Sequence, residues 1–166
     1  MKFSAFFISA LLLSVPAAQA NLSVTFDEGA PKDQFRIENT GKCTLTSGSI
    51  LLDLSTSSAG LIFDVTGRGA GVEVFQPLEI IEGAKLLTEV PKVVDGQSKM
   101  QLDVDSLAPG QTISFTIDVD DTVGQREITV SNAEIAGATI SYEQGPSAAS
   151  AEFTNNAQAL VAIADC

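Results

Sequence analysis

Apolar residues recur at every second position along most of this chain, and turn-forming clusters break the pattern at roughly 8 to 12 residue intervals. Alternation of that kind puts successive side chains on opposite faces of an extended backbone, so it specifies strands with one buried and one wet face. "LSVTF" places Leu22, Val24 and Phe26 on one side, and "FRIEN" does the same with Phe35 and Ile37. "SILLDLS", "LIFDV", "VEVF", "PLEII", "SKMQLDVDS", "QTISFTIDVD", "REITVS", "AEIA" and "ATISYE" continue the series. Between them stand "DEGAP", "NTGK", "TSSAG", "TGRGAG", "VVDGQ", "LAPG" and "DDTVG", the Gly, Pro, Asp and Asn clusters from which turns are built. About ten short strands with alternating faces predict an all-β fold, an antiparallel β-sandwich of the immunoglobulin-like or jelly-roll type. Only "PLEIIEGAKLLTEVPK" is ambiguous between a helical turn and a strand plus loop, and Gly83 and Pro91 argue against a long helix.

The first twenty residues, "MKFSAFFISALLLSVPAAQA", belong to a different regime. Lys2 supplies a positive start, Phe6 to Val15 an apolar stretch too short to span a bilayer, and Ala18-Gln19-Ala20 a small-x-small cleavage pattern. Residues 1–20 therefore read as a signal peptide, which predicts an exported protein, periplasmic or secreted. The sandwich is expected over 21–144, followed by an Ala, Ser and Asn-rich tail over 145–166. Within that tail "ALVAIA" is apolar enough for a last strand or helical turn. No later stretch approaches about 20 uncharged apolar residues, so membrane insertion is not expected.

Without Lys2 the chain carries 8 basic and 21 acidic residues, a formal charge of −13. Such a surface repels nucleic acid and attracts cations. A salty habitat accounts for the same acidity. Two cysteines, Cys43 and Cys166, would meet an oxidising compartment after export, which predicts one disulfide tying the tail to the early part of the fold. An intermolecular bridge or a free thiol at the chain end is the competing reading.

Carboxylates gather in "TIDVDDTVG" and "LDVDS". With Ile113, Phe115, Ile117 and Val119 facing the core, Asp118 and Asp120 are expected on the outer face about 7 Å apart. With Met100, Leu102 and Val104 inward, Asp103 and Asp105 point outward too. If "SLAPG" closes a direct hairpin, Asp103 lies opposite Thr116 and diagonal to Asp118, and the carboxylates crowd one patch that a cation would relieve. Asp103, Asp105, Asp118, Asp120 and Asp121 are thus the candidate ligands of a weak calcium site; the alternative is an ordinary solvated acidic face. An EF-hand is excluded, because a loop starting at Asp118 has Val123 where glycine is required and Thr129 where glutamate is required.

Catalysis has little to work with. The chain has no histidine, which removes Ser-His-Asp and Cys-His machinery and the commonest zinc ligand. Asp118 and Asp120 have the separation of a retaining glycosidase pair, but an exposed face offers nothing to raise one pKa. No enzyme is expected. "GRGAG" precedes a strand rather than a helix, so it reads as a turn or bulge and not as a phosphate loop. Six phenylalanines and Tyr142 are the only aromatics after residue 20, few for a sugar-stacking surface.

Three stretches, "FRIENTGKCTLTSGSILLDLS", "GLIFDVTGRGAGVEVFQPLEI" and "SLAPGQTISFTIDVDDTVGQREITVSNAEIAGATI", resemble exported proteobacterial proteins labelled aggregation factor core protein. The likeness covers roughly Leu22 to Ser141, with "LIFDVTG" before "GVEVFQP" and "TIDVDD" before "REITVS" as its specific parts. It implies an extracytoplasmic β-sandwich acting in calcium-assisted cell adhesion, with a cell-surface protein or glycan as partner and no catalytic residues. A soluble glycan- or ligand-binding module on the same fold is the alternative function.

Overall fold

The computed structural model describes residues 22–30, 32–69, 71, 75–122 and 129–163. The leader read over 1–20, Asn21, most of "VEVF", the start of "REITVS" and Cys166 lie outside the described residues. The described strands are β1 (Leu22–Asp27), β2 (Asp33–Asn39), β3 (Leu45–Asp53), β4 (Ile62–Phe63), β5 (Glu79–Glu82), β6 (Lys99–Leu107), β7 (Thr112–Ile117), β8 (Val119–Asp120), β9 (Thr139–Gln144), β10 (Ser147–Glu152) and β11 (Gln158–Val161).

They form an antiparallel β-sandwich. One sheet has the order β11-β1-β2-β7-β5 and the other β10-β9-β3-β6, while β4 and β8 pair as a small third sheet. Between the layers lie the residues that the alternation turns inward. Leu22, Val24 and Phe26 of β1, Phe35 and Ile37 of β2, and Ile113, Phe115 and Ile117 of β7 meet Ile50, Leu52, Met100, Leu102, Val104, Ile140 and Tyr142 from the opposite sheet, all buried. Each large side chain so buried stabilises the fold by about 1.5–3 kcal/mol. Phe35 sits at the centre of an aromatic group: its ring lies 5.0 Å from Phe26, 5.2 Å from Phe115 and 6.5 Å from Phe153. Among the described residues no helix is long and apolar enough to cross a membrane.

Three expectations need correction. The link "SLAPG" is not a hairpin: β6 lies in one sheet and β7 in the other, so the chain arches over the core. Alternation cannot separate the two cases, because strands facing each other across a core carry the same inward pattern as hairpin partners. Asn39 anchors the arch from within, donating from Nδ2 to the Leu107 carbonyl at 2.7 Å and to the Cys43 carbonyl at 2.8 Å. "AEIA" is a helical turn, α1 (Asn132–Ile135), rather than a strand. Its start is a capping box, with the Glu134 carboxylate accepting the Ser131 amide at 2.7 Å and hydroxyl at 2.6 Å. The sandwich also runs past Gln144, since β10 pairs with β9 along its whole length and β11 pairs with β1. The ambiguous segment resolves into β5, a short 3₁₀ turn over Ala84–Leu86, and loop.

Candidate functional site

Alternation along β7 places Asp118 and Asp120 on the outer side of their sheet, yet both are buried, at 6 % and 5 % exposure. The reason is a second layer. Residues 62–64 and Gln76 lie against this end of the sheet and bond to it through the backbone. The Asp64 amide donates to the Asp118 carbonyl at 3.0 Å, the Asp118 amide to the Gln76 carbonyl at 3.1 Å, and β4 pairs with β8 in the register Ile62 to Asp120 and Phe63 to Val119. Two further carboxylates arrive with these elements. Asp33 opens β2 on its core-facing side, and Asp64 follows β4; each is 1 % exposed.

The four groups differ in how they are held. Asp33 is well supported: its Oδ1 accepts the Gly29 amide at 3.2 Å and its Oδ2 the Val119 amide at 2.9 Å. Neither Asp64 oxygen nor Asp118 Oδ2 receives a well-formed hydrogen bond, although the Thr66 amide lies near enough to Asp64 to favour its charged form slightly. Asp95 lies close enough to Asp64 for the two carboxyls to share a proton, but as carboxylates neither can donate to the other. Asp95 is itself held by the loop, accepting the Val65 and Thr66 amides on Oδ1 at 2.9 and 3.0 Å.

Gly71 closes the cover. A Cβ there would collide with the Asp64 carboxylate and stand 2.5 Å from Asp120 Oδ2, so only glycine lets the backbone approach these two groups.

Burying acids this way has a cost that appears in their proton affinity. Burial, reinforced by the charges of Glu28 and Asp120, outweighs the amide hydrogen bonds of Asp33 and pushes its pKa to about 7. Burial and the neighbouring Asp95 and Asp120 raise Asp64 to about 6. Asp118 reaches about 8 through burial and then the charges of Asp33, Asp120 and Asp64. Lys32, Arg36 and Lys99 are engaged elsewhere, with Glu79, with Glu38 and Glu82, and with Asp53.

The residues singled out from sequence therefore divide. Asp118 and Asp120 come together, joined by Asp33 and Asp64. Asp121 follows them half-buried. Asp103 and Asp105 are on β6 in the other sheet, and the patch expected to unite them with Asp118 does not form. They line a separate open cleft with Ser47, Ser49 and Glu143. There the Ser49 hydroxyl and Gln101 amide donate to Asp103 at 2.8 and 2.7 Å and hold its carboxyl below the usual range. Among the described residues no group of three or more Asp, Glu, His or Cys side chains is placed to hold a metal ion. Cys43 lies beside the arch, and its expected partner Cys166 is outside the described residues.

Asp33 and Asp64 do not stand out in the sequence: Asp33 follows the turn cluster "DEGAP", and Asp64 is a single acid within the strand run "LIFDV". A usable signal was present: "LIFD" and "TID" both end an apolar run on aspartate, and the first leads straight into the glycine-rich loop.

No family model and no curated protein matches this chain. Among solved structures it is similar to a family GH18 chitinase from Chromobacterium violaceum, with a TM-score of 0.32 and 15 % sequence identity over 92 % of this chain. The likeness spans 20 % of that chitinase chain and carries no argument about fold or activity here.

Proposed function

We propose that this chain is an exported, non-enzymatic interaction domain that works in adhesion between cells or surfaces. The reading is supported by the resemblance of "LIFDVTG", "GVEVFQP" and "TIDVDD" to aggregation factor core proteins, and by one observation on the surface. Phe75 and Val94, 39 % and 66 % exposed, adjoin Gln76 and Asp95, which both contact Asp64. The Phe75 ring packs over Gly67, and the same 66–69 turn folds around Asp95, the neighbour of Val94. Large apolar side chains held on loops above a rigid sandwich are the usual form of a contact surface.

The alternative, a glycan-binding module, draws less support. Phe26, Phe35, Phe63, Phe115, Phe153 and Tyr142 are all buried, leaving Phe75 alone among the described aromatics to stack on a sugar ring.

Bead clustering tests the proposal. Beads coated with the 21–166 chain should aggregate, alone or with beads carrying extracts of the producing cell's surface. The double change Phe75→Ser and Val94→Ser should reduce the clustering. Absence of clustering in both arrangements, or clustering indifferent to the double change, would reject the adhesion reading.

A further inference from the structure

We infer that Asp64, Asp118 and Asp120, backed by Asp33 and Asp95, form a binding site for a calcium-sized divalent cation beside Gly71. The assignment holds whether or not the chain is an adhesin.

Two independent features carry it. The first is the convergence of acids from four separate parts of the chain. Asp33 comes from the start of β2, Asp64 from the segment after β4, Asp95 from the turn before β6, and Asp118 and Asp120 from the junction of β7 and β8. Asp33 and Asp95 serve the backbone as amide acceptors, but no such bond accounts for the carboxylate of Asp64, and like charges brought together out of water destabilise a fold unless something of opposite charge joins them.

The second feature is the state of the oxygens. Both oxygens of Asp64 and Oδ2 of Asp118 are buried without a well-formed hydrogen bond, the Thr66 amide giving Asp64 only a weak contact that burial outweighs. Buried polar atoms in folded proteins almost always find a partner, so three orphaned carboxylate oxygens in one cluster mark a missing electropositive group. Asp64 Oδ2 and Asp120 Oδ2 also face one point, the place a Cβ on Gly71 would occupy, so the backbone has been trimmed to bring the loop over them.

The chemistry of the donors selects the ion. All are hard oxygens, as calcium and magnesium require, whereas zinc and copper favour the nitrogen and sulfur ligands that the cluster lacks. Calcium accepts six to eight oxygens in irregular geometry, and loop-borne carboxylates supply such sets readily. Magnesium demands a near-ideal octahedron and releases its water reluctantly, which suits a covered, irregular cluster poorly. Asp33, with both oxygens already accepting amides, acts as a fixed negative charge behind the ligands. As they stand, no three of the described carboxyl groups are placed to hold an ion together, so capture requires Asp64 and Asp118 to rotate toward Asp120.

Equilibrium dialysis against calcium-45, after treatment with EDTA, tests the assignment on the 21–166 chain. About one calcium should be retained per chain, and magnesium in equal amount should displace it poorly. At a hundredfold excess over the dissociation constant the melting temperature should rise by about 5 to 10 °C. The double change Asp64→Asn and Asp118→Asn should abolish both effects while melting at or above the EDTA-treated parent, because it removes repulsion along with the ligands. Asp103→Asn with Asp105→Asn should leave both effects intact. No calcium retained by the parent at millimolar concentration overturns the site. So does retention that survives Asp64→Asn with Asp118→Asn, or that disappears with Asp103→Asn and Asp105→Asn. If the Asp64 and Asp118 variant does not fold, parent dialysis and Asp120→Asn decide the matter by the same criteria.

Discussion

The amide of Val119 donates to Asp33 Oδ2 at 2.9 Å, one step beyond the last backbone pairing of β2 with β7 at Asp33 and Ile117. A side chain thereby continues the ladder for one more residue, and the backbone is free to turn at Asp118. That turn separates β7 from β8 and points Asp118 toward Asp64.

Asp33→Ala should accordingly cost about 1–3 kcal/mol in urea unfolding, since it leaves the Gly29 and Val119 amides without their acceptor. Asp33→Asn keeps an acceptor and removes a buried charge, so it should cost less than Asp33→Ala. Equal losses in the two variants would show that the charge, and not the acceptor, is what matters at this position.

The EDTA-treated protein should be more stable at mildly acid pH than at pH 8. Asp33, Asp64 and Asp118 have folded pKa values of about 7, 6 and 8, above the ordinary 3.8. Between about pH 4 and 8 the folded chain keeps protons that the unfolded chain has released. The stability they confer is complete below about pH 4 and is lost as pH rises through these values. Asp103, held low by Gln101 and Ser49, works in the opposite sense only at still lower pH. The melting temperature at low calcium should therefore be highest near pH 4 and fall steadily toward pH 8. A flat profile from pH 5 to 8 would contradict the burial of these acids.

Gly71→Ala should destabilise the chain by about 1–3 kcal/mol through overpacking, because the new methyl meets the Asp64 carboxylate and Asp120 Oδ2. Circular dichroism melting measures this directly. The loss should shrink when Asp64→Ala is combined with it, since the obstructing carboxylate is then gone; simple additivity of the two changes would place the clash elsewhere.

The expected Cys43–Cys166 bond can be assayed by thiol titration in denaturant without reductant, where no free thiol should appear and the chain should run as a monomer. Val161 pairs with Leu22, which in turn pairs with Asn39, and Asn39 holds the Cys43 carbonyl, so the end of β11 approaches the right neighbourhood. A bond closing a loop of more than a hundred residues is worth about 4–5 kcal/mol. Reduction should lower the urea midpoint accordingly.

Much of the fold was legible because the alternation of Leu22, Val24 and Phe26, of Met100, Leu102 and Val104, and of Ile113, Phe115 and Ile117 is set by one buried face. The pairing of those strands was not legible, since β6 and β7 show the same inward pattern across a core as they would in a hairpin. Ser131 and Glu134 spelled a capping box, but their helix lasts a single turn, too short for a helical period to show. The site was half legible. Asp118 and Asp120 stood out as a motif, whereas Asp33 and Asp64 reach them only through β2–β7 and β4–β8 contacts that no local pattern encodes.

The pairing of β11 with β1 bears on when this protein can fold. The first described strand keeps one edge unpaired until the last described strand arrives, well over a hundred residues later. The five-stranded sheet is therefore finished only once Val161 is available. Any event that delays the late part of the chain leaves an open strand edge at Leu22–Asp27, ready to pair with the wrong partner.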